Sequence, residues 1–175
     1  MRTQTLVTLQ LASQILGVEP YRIIHLCESG CVKPTEDAEG RGTVRRFSTD
    51  DLFLLAVCLE LQNAGVTAAR IAKVSRLLSW LPRMQRSKEV FREGGLRGII
   101  RHVGNREHPV MLHVKMPERG VHPTEPPMVL IQSAERLPFP PESGLGTCTT
   151  SATVDIWPVR VTLNLTFIAS TIRLR

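Results

Sequence analysis

Between Ser48 and Gly65 the chain reads STDDLFLLAVCLELQNAG. Ser48 with Asp51 three positions on is a capping box, in which each side chain satisfies a backbone N–H that the first helical turn leaves open. Phe47 and Leu52 occupy the flanking staple positions, and Gly65 supplies the stop. Between these signals apolar residues fall almost all round the helix, leaving no wide solvent-facing stripe. The spacing therefore predicts a central helix, with the remaining elements arranged around it.

Composition permits this. Hydrophobic residues are 42% and charged residues 22% of 175, so the chain can bury a core and is not a disordered one. Aromatics at 5% argue against a single-strand binder lined with stacking rings. No apolar run reaches the ~18 residues of a membrane span. The opening stretch MRTQTLVTLQLASQILG is interrupted by polar residues and lacks a secretory h-region, so the cytoplasm is the expected compartment and no membrane contact is expected.

Two short helices precede the central one. Leu9, Ala12, Ile15 and Leu16 keep helical spacing and Gly17 stops the run. Pro20 then sits in a first turn, where its missing N–H costs nothing. Ile23, Ile24, Leu26 and Cys27 give the second helix an apolar side, and Gly30 ends it. CVKP, the polar stretch TEDAEGRG and TVRRF follow and read as a hairpin with Arg41 at its tip and Arg45 and Arg46 on the return strand. After Gly65, Thr67 is positioned to cap a fourth helix, with Val66 and Ile71 as its staple and Ile71, Val74, Leu78 and Leu81 as its inner stripe. Pro82 is expected to end it.

Further on, a helix is expected over about 87–103, weakened by Gly94-Gly95. Strands are expected at Val110–Met116, Met128–Gln132 and Val154–Leu163, and the closing LTFIASTIRLR reads as a strand or a short helix, leaning towards strand through its Thr, Ile and Phe content. The fold class is α+β. The expected division is residues 1–93, mainly helical with a β-hairpin wing, and residues 94–175, a small β-rich dimerisation, effector or interaction module.

The net charge is +6, and basic residues gather at Arg70, Lys73, Arg76, Arg83, Arg86, Lys88 and Arg92 and at Arg41, Arg45 and Arg46. Such an excess suits nucleic acid, an anionic membrane or plain solubility. Cys27, Cys31, Cys58 and Cys148 form no CxxC pair, and with His25 the first three match no standard zinc spacing. Cys27 and Cys58 read as small buried hydrophobes in a reduced chain. His102, His108, His113 and His122 lack accompanying carboxylates at helical spacing. Nucleophile-elbow, P-loop, dinucleotide and HEXXH patterns are all missing, so neither an enzyme, a metal nor a cofactor is expected.

A reading helix needs polar or basic side chains outward and an apolar inner face. The second helix offers Glu19, Tyr21, Arg22 and His25 outward. Arginines on a hairpin suit phosphate contact through their forked, weakly hydrated guanidinium groups. The order helix–turn–helix, basic hairpin, capped helix, capped helix is far more specific than any one part.

Residues 6–81 resemble the winged-helix DNA-binding domain of the MerR superfamily of bacterial transcription regulators. Gly17-Val18, Gly30, Pro34, Arg45, Phe47, Ser48, Ala64-Gly65-Val66 and the Ile71 to Leu78 helix carry the likeness. The resemblance implies DNA contacts by Arg45, Tyr21 and Arg22. Where the family usually has Arg-Tyr-Tyr-Glu, this chain has Ile24, His25, Leu26 and Cys27. The expected function is a sequence-specific regulator of transcription on double-stranded DNA, contacting it through Tyr21, Arg22, His25, Arg41, Arg45 and Arg46. One short reading helix covers few base pairs, so a homodimer built beyond Pro82 is expected. RNA polymerase is a further expected contact. The competing expectation is a helix-turn-helix adaptor for a protein partner, and a small metal- or ligand-dependent enzyme is a distant third.

Overall fold

The computed structural model describes residues 5–37, 44–84, 100, 110–116, 127–133 and 159–172. The fold is α+β, with helices and a small β-ribbon first and a three-stranded sheet with one helix after them. In chain order the elements are β1 (Val7–Thr8), α1 (Leu9–Leu16), α2 (Pro20–Glu28), β2 (Arg46–Phe47), α3 (Thr49–Asn63) and α4 (Ala68–Met84). β3 (Val110–Met116), β4 (Met128–Ser133), β5 (Val159–Asn164) and α5 (Leu165–Ile172) follow.

The capping box forms as the residues require. Asp51 N–H donates to Ser48 Oγ at 3.2 Å, and Ser48 N–H donates to Asp51 Oδ2 at 2.8 Å. Phe47 and Leu52, the staple pair, are both fully buried. α3 buries every residue from Leu52 to Leu59, and Leu61 as well. It is central in the literal sense, packing against α1, α2, α4, α5, β2 and β5.

α4 begins after Thr67, whose carbonyl accepts from the N–H groups of Arg70 and Ile71. Its stripe Ile71, Val74 and Leu78 is buried as spaced. The helix does not stop at Pro82 but stays helical to Met84. A proline removes only one i→i−4 bond, and in an outer turn that loss is local. Ser75 is buried on this helix, and its hydroxyl donates to the carbonyl of Cys31, while Cys31 Sγ donates to Ala68 O at 3.4 Å. The segment leaving α2 is thereby fastened to the first turns of α4.

β3 lies between β4 and β5, antiparallel to both, with Leu112 opposite Ile131 on one side and Leu163 on the other. Val110, Leu112, Val114 and Met116 alternate inward, as a half-buried strand demands. The expected third strand, 154–163, corresponds to β5; its first residues lie outside the described ones.

The closing segment leans the other way from its composition: residues Leu165–Ile172 are a helix. Leu165, Ile168 and Ile172 are buried at helical spacing, and Asn164 Oδ1 accepts from Phe167 N–H at 3.0 Å as an N-cap. Cap and buried stripe override the strand preference of Thr, Ile and Phe. α5 packs on α3, α1 and β3, β4 on α4 and β5 on α3, so the C-terminal elements share one buried core with the N-terminal helices. The helix expected over 87–103 lies outside the described residues, apart from helical Ile100, and so does the boundary expected near residue 93.

Candidate nucleic-acid interface

α1 and α2 meet in a turn fixed by three features. Gly17 takes φ 63°, a left-handed conformation that a Cβ would oppose. Val18 N–H returns to Ser13 O at 3.1 Å. The Ser13 hydroxyl donates to Val18 O at 2.6 Å, closing the same turn from the other strand of the chain. At its far end α2 closes through Gly30, at φ 69°, with Cys31 N–H on Leu26 O at 2.9 Å and Gly30 N–H on Cys27 O at 3.0 Å. Both ends of the candidate reading helix are thus set by backbone geometry.

The faces of α2 sort as expected. Ile23 and Leu26 are fully buried, whereas Tyr21 is 68% exposed and His25 is exposed one turn further on. Residues four apart share a helix face, so Tyr21 and His25 present one outward surface. Arg22 is half-buried and turned towards α3. Its Nη2 donates to Gln62 Oε1 at 2.9 Å and to Asn63 Oδ1 at 2.8 Å.

Beyond α2, Thr35 is held by the carboxylate that caps α3. Asp51 Oδ2 accepts from Thr35 N–H at 3.0 Å and from Thr35 Oγ1 at 2.6 Å, besides Ser48 N–H. The outgoing and returning arms of the hairpin then meet where Glu36 and Arg46 exchange backbone hydrogen bonds of 3.1 and 2.9 Å. The return strand β2 also pairs with β1, Val7 opposite Phe47 and Thr8 opposite Arg46, a partnership that the sequence reading missed. Two residues per strand leave no periodic signal to find.

Alternation along this strand puts Arg45 on the side of buried Phe47 and Arg46 on the other. Arg45 is 20% exposed at its side chain, and its Nε donates to Asp37 Oδ1 at 3.0 Å, with Glu28 Oε1 4.0 Å from Nη2. Arg46 is 53% exposed and lies 3.5 Å from Glu36 Oε2. Each wing arginine therefore sits beside carboxylates of its own chain. Arg41 lies outside the described residues. On α4, Lys73 and Arg76 are exposed, three positions apart on the face away from the buried stripe.

Cys27, Cys31 and Cys58 are free thiols. Burial pushes the Cys27 thiol up to about 11, with nearby Arg45 pulling against that rise and Asp37 and Asp51 adding to it. Burial also raises Cys31 and, most strongly, Cys58. Thiols held protonated are poor metal ligands and poor nucleophiles. Among the described residues no group of three or more His, Cys, Asp or Glu is placed to hold a metal ion, and no helix is long and apolar enough to cross a membrane.

The residues that sequence reasoning missed are Gln62, Asn63, Glu28, Asp37 and Thr35. Asp37 meets Arg45 eight positions on, and the others act on residues 16 or more positions away. Only Gln62 and Asn63 carried a signal, as polar residues ending an otherwise apolar helix just before Gly65. Compared with known proteins, residues 7–78 match the family described as MerR HTH family regulatory protein. No curated protein matches the chain.

Proposed function

We propose that this chain, which carries a MerR-superfamily helix-turn-helix domain over residues 7–78, regulates transcription by binding a specific site on double-stranded DNA. The observation that supports the reading most is the outward face of α2. Tyr21 and His25 stand clear of the core at one end of a doubly fixed helix, within the matched segment. A helix held in this way enters a major groove with two side chains able to donate to and accept from base edges. Arg45 and Arg46 at β2 supply phosphate contacts, and Arg41, a few positions earlier in the sequence, is proposed as a further one. Lys73 and Arg76 extend the basic surface along α4 and position the duplex without reading it.

A homodimer is part of this proposal, because one short helix distinguishes few base pairs and two-fold symmetry doubles the site. Contact with RNA polymerase belongs to the same regulatory role, in a cytoplasmic setting. One observation favours the second reading, an adaptor for a protein partner. Glu28, Glu36 and Asp37 already lie against the wing arginines, which lowers the positive potential that DNA would meet.

Selection from a pool of random duplexes by the purified full-length chain tests both. The expected result is an enriched palindrome, bound with log affinity falling against log salt by roughly 0.9 per phosphate contacted. Light scattering of the same sample should give the mass of a dimer. Absence of duplex binding at ~50 mM salt would reject the DNA reading in favour of the adaptor.

A further inference from the structure

Arg22 is the one strongly basic side chain on α2, and the resemblance marks it as a DNA contact. Its geometry argues for another task. Guanidinium recognises a guanine or a phosphate through one of two forked edges, Nη1 with Nη2 or Nε with Nη2. Both forks use Nη2. Here Nη2 donates to Gln62 Oε1 at 2.9 Å and to Asn63 Oδ1 at 2.8 Å, which occupies both of its hydrogens. Neither fork is then open unless an amide of α3 lets go. The acceptors also lie in the last turn of α3, where the helix dipole gathers partial negative charge and a cation is favoured.

We propose that Arg22 is a positioning residue that locks α2 to the C-terminal turn of α3 through Gln62 and Asn63, leaving base readout to Tyr21 and His25. The inference rests on the reading of α2 as the DNA-reading helix. The turns at Gly17 and Gly30 set where α2 begins and ends, and the lock adds resistance to rotation about its axis. Ile23 and Leu26 hold α2 against the core by apolar contact, which resists separation but tolerates rotation about the helix axis. Two directional bonds from a side chain near the first turn resist that rotation. Turning α2 would swing Tyr21 and His25 away from their groove positions, so the lock acts on specificity through other residues.

The test uses the full-length chain with a duplex that it selects from a random pool and a shuffled duplex of the same composition. Arg22→Ala should lower the affinity ratio between the two about tenfold, the scale of one lost base contact. The double variant Gln62→Ala/Asn63→Ala should lower it equally. Combining all three substitutions should add no more than about twofold, because the residues act as one unit. Arg22→Lys should keep most of the ratio, since one ammonium has donors enough for both amides. The salt slope should not change in any variant.

A further tenfold loss from Arg22→Ala in the Gln62→Ala/Asn63→Ala background, or a slope lower by about 0.9, would place Arg22 on the DNA and overturn the proposal. If the unaltered chain binds no duplex, the DNA reading fails by itself. The lock is then judged by thermal unfolding of the same variants. Non-additive midpoints uphold it and additive ones overturn it.

Discussion

The segment 7–78 and the elements after it are held in different ways. In the first, side-chain bonds run between distant elements: Arg22 to Gln62 and Asn63, Thr35 to Asp51 and Ser75 to Cys31. In the second, described side-chain bonds stay within the sheet and its helix, as with Thr166 Oγ1 accepting from Val110 N–H and Asn164 capping α5. Among the described residues the two regions share an apolar core, to which Ile168 and Ile172 belong. Directional bonds fix angles, and apolar burial fixes proximity. The first region thus has the orientation of its helices set by side-chain bonds as well as by burial.

The largest effect should come from breaking the apolar junction. Ile168→Ala should destabilise the whole described fold by about 2–5 kcal/mol in urea unfolding, whereas Ile168→Leu should cost under about 1.5 kcal/mol. Both should leave a single transition. A biphasic curve with an unchanged first region would show that the two do not share a core.

Next is the directional network. Asp51→Ala removes the acceptor shared by Ser48 and Thr35 and should cost about 2 kcal/mol, from cap and loop together. Amide hydrogen exchange should quicken at Ser48 and Thr35 while the β3 amides stay protected. Uniform loss of protection would erase the contrast between regions.

A smaller effect is a pH dependence confined to the first region. Cys27 has its thiol raised from an ordinary 9.0 to about 11 in the fold, so the folded chain keeps a proton that the unfolded chain releases. The stabilisation is fully present below pH 9.0 and falls as pH rises towards about 11. Cys27→Ser should make that alkaline slope shallower in thermal melts, leaving the part carried by the raised Cys31 and Cys58 thiols.

The smallest change in stability should come from Asp37→Asn, which frees Arg45 from its partly exposed partner at under about 1 kcal/mol. The same substitution should tighten duplex binding severalfold at low salt, most visibly in the salt slope. A substitution that leaves binding unchanged would mean that the carboxylate does not compete with phosphate.

What the sequence reveals divides along the same line. Local signals were legible because cause and effect lie within a few residues. The box at Ser48 and Asp51, the stops at Gly17, Gly30 and Gly65, and the alternation of β3 all belong to this kind. Pairings across the fold were not legible. Arg22 shows an outward position on a helical wheel, and nothing in its neighbourhood announces amide partners 40 and 41 positions away. Of the two readings open for the closing segment, the short helix is the one that forms, because the buried stripe of Leu165, Ile168 and Ile172 outweighs residue preference. Of the site itself, Tyr21 and His25 stand outward as the helical pattern implies, while the carboxylates beside Arg45 and Arg46 became visible only in three dimensions.

Cys31 has a mechanical consequence. It is the residue on which the end of α2 closes, and α4 grips it twice, through Ser75 and through the carbonyl of Ala68. From Ser75 to Met84 the helix continues as an arm of roughly 13 Å, at 1.5 Å per residue. A force applied at the outer end of that arm would bear on an anchor shared with α2, as on a lever whose fulcrum is Cys31.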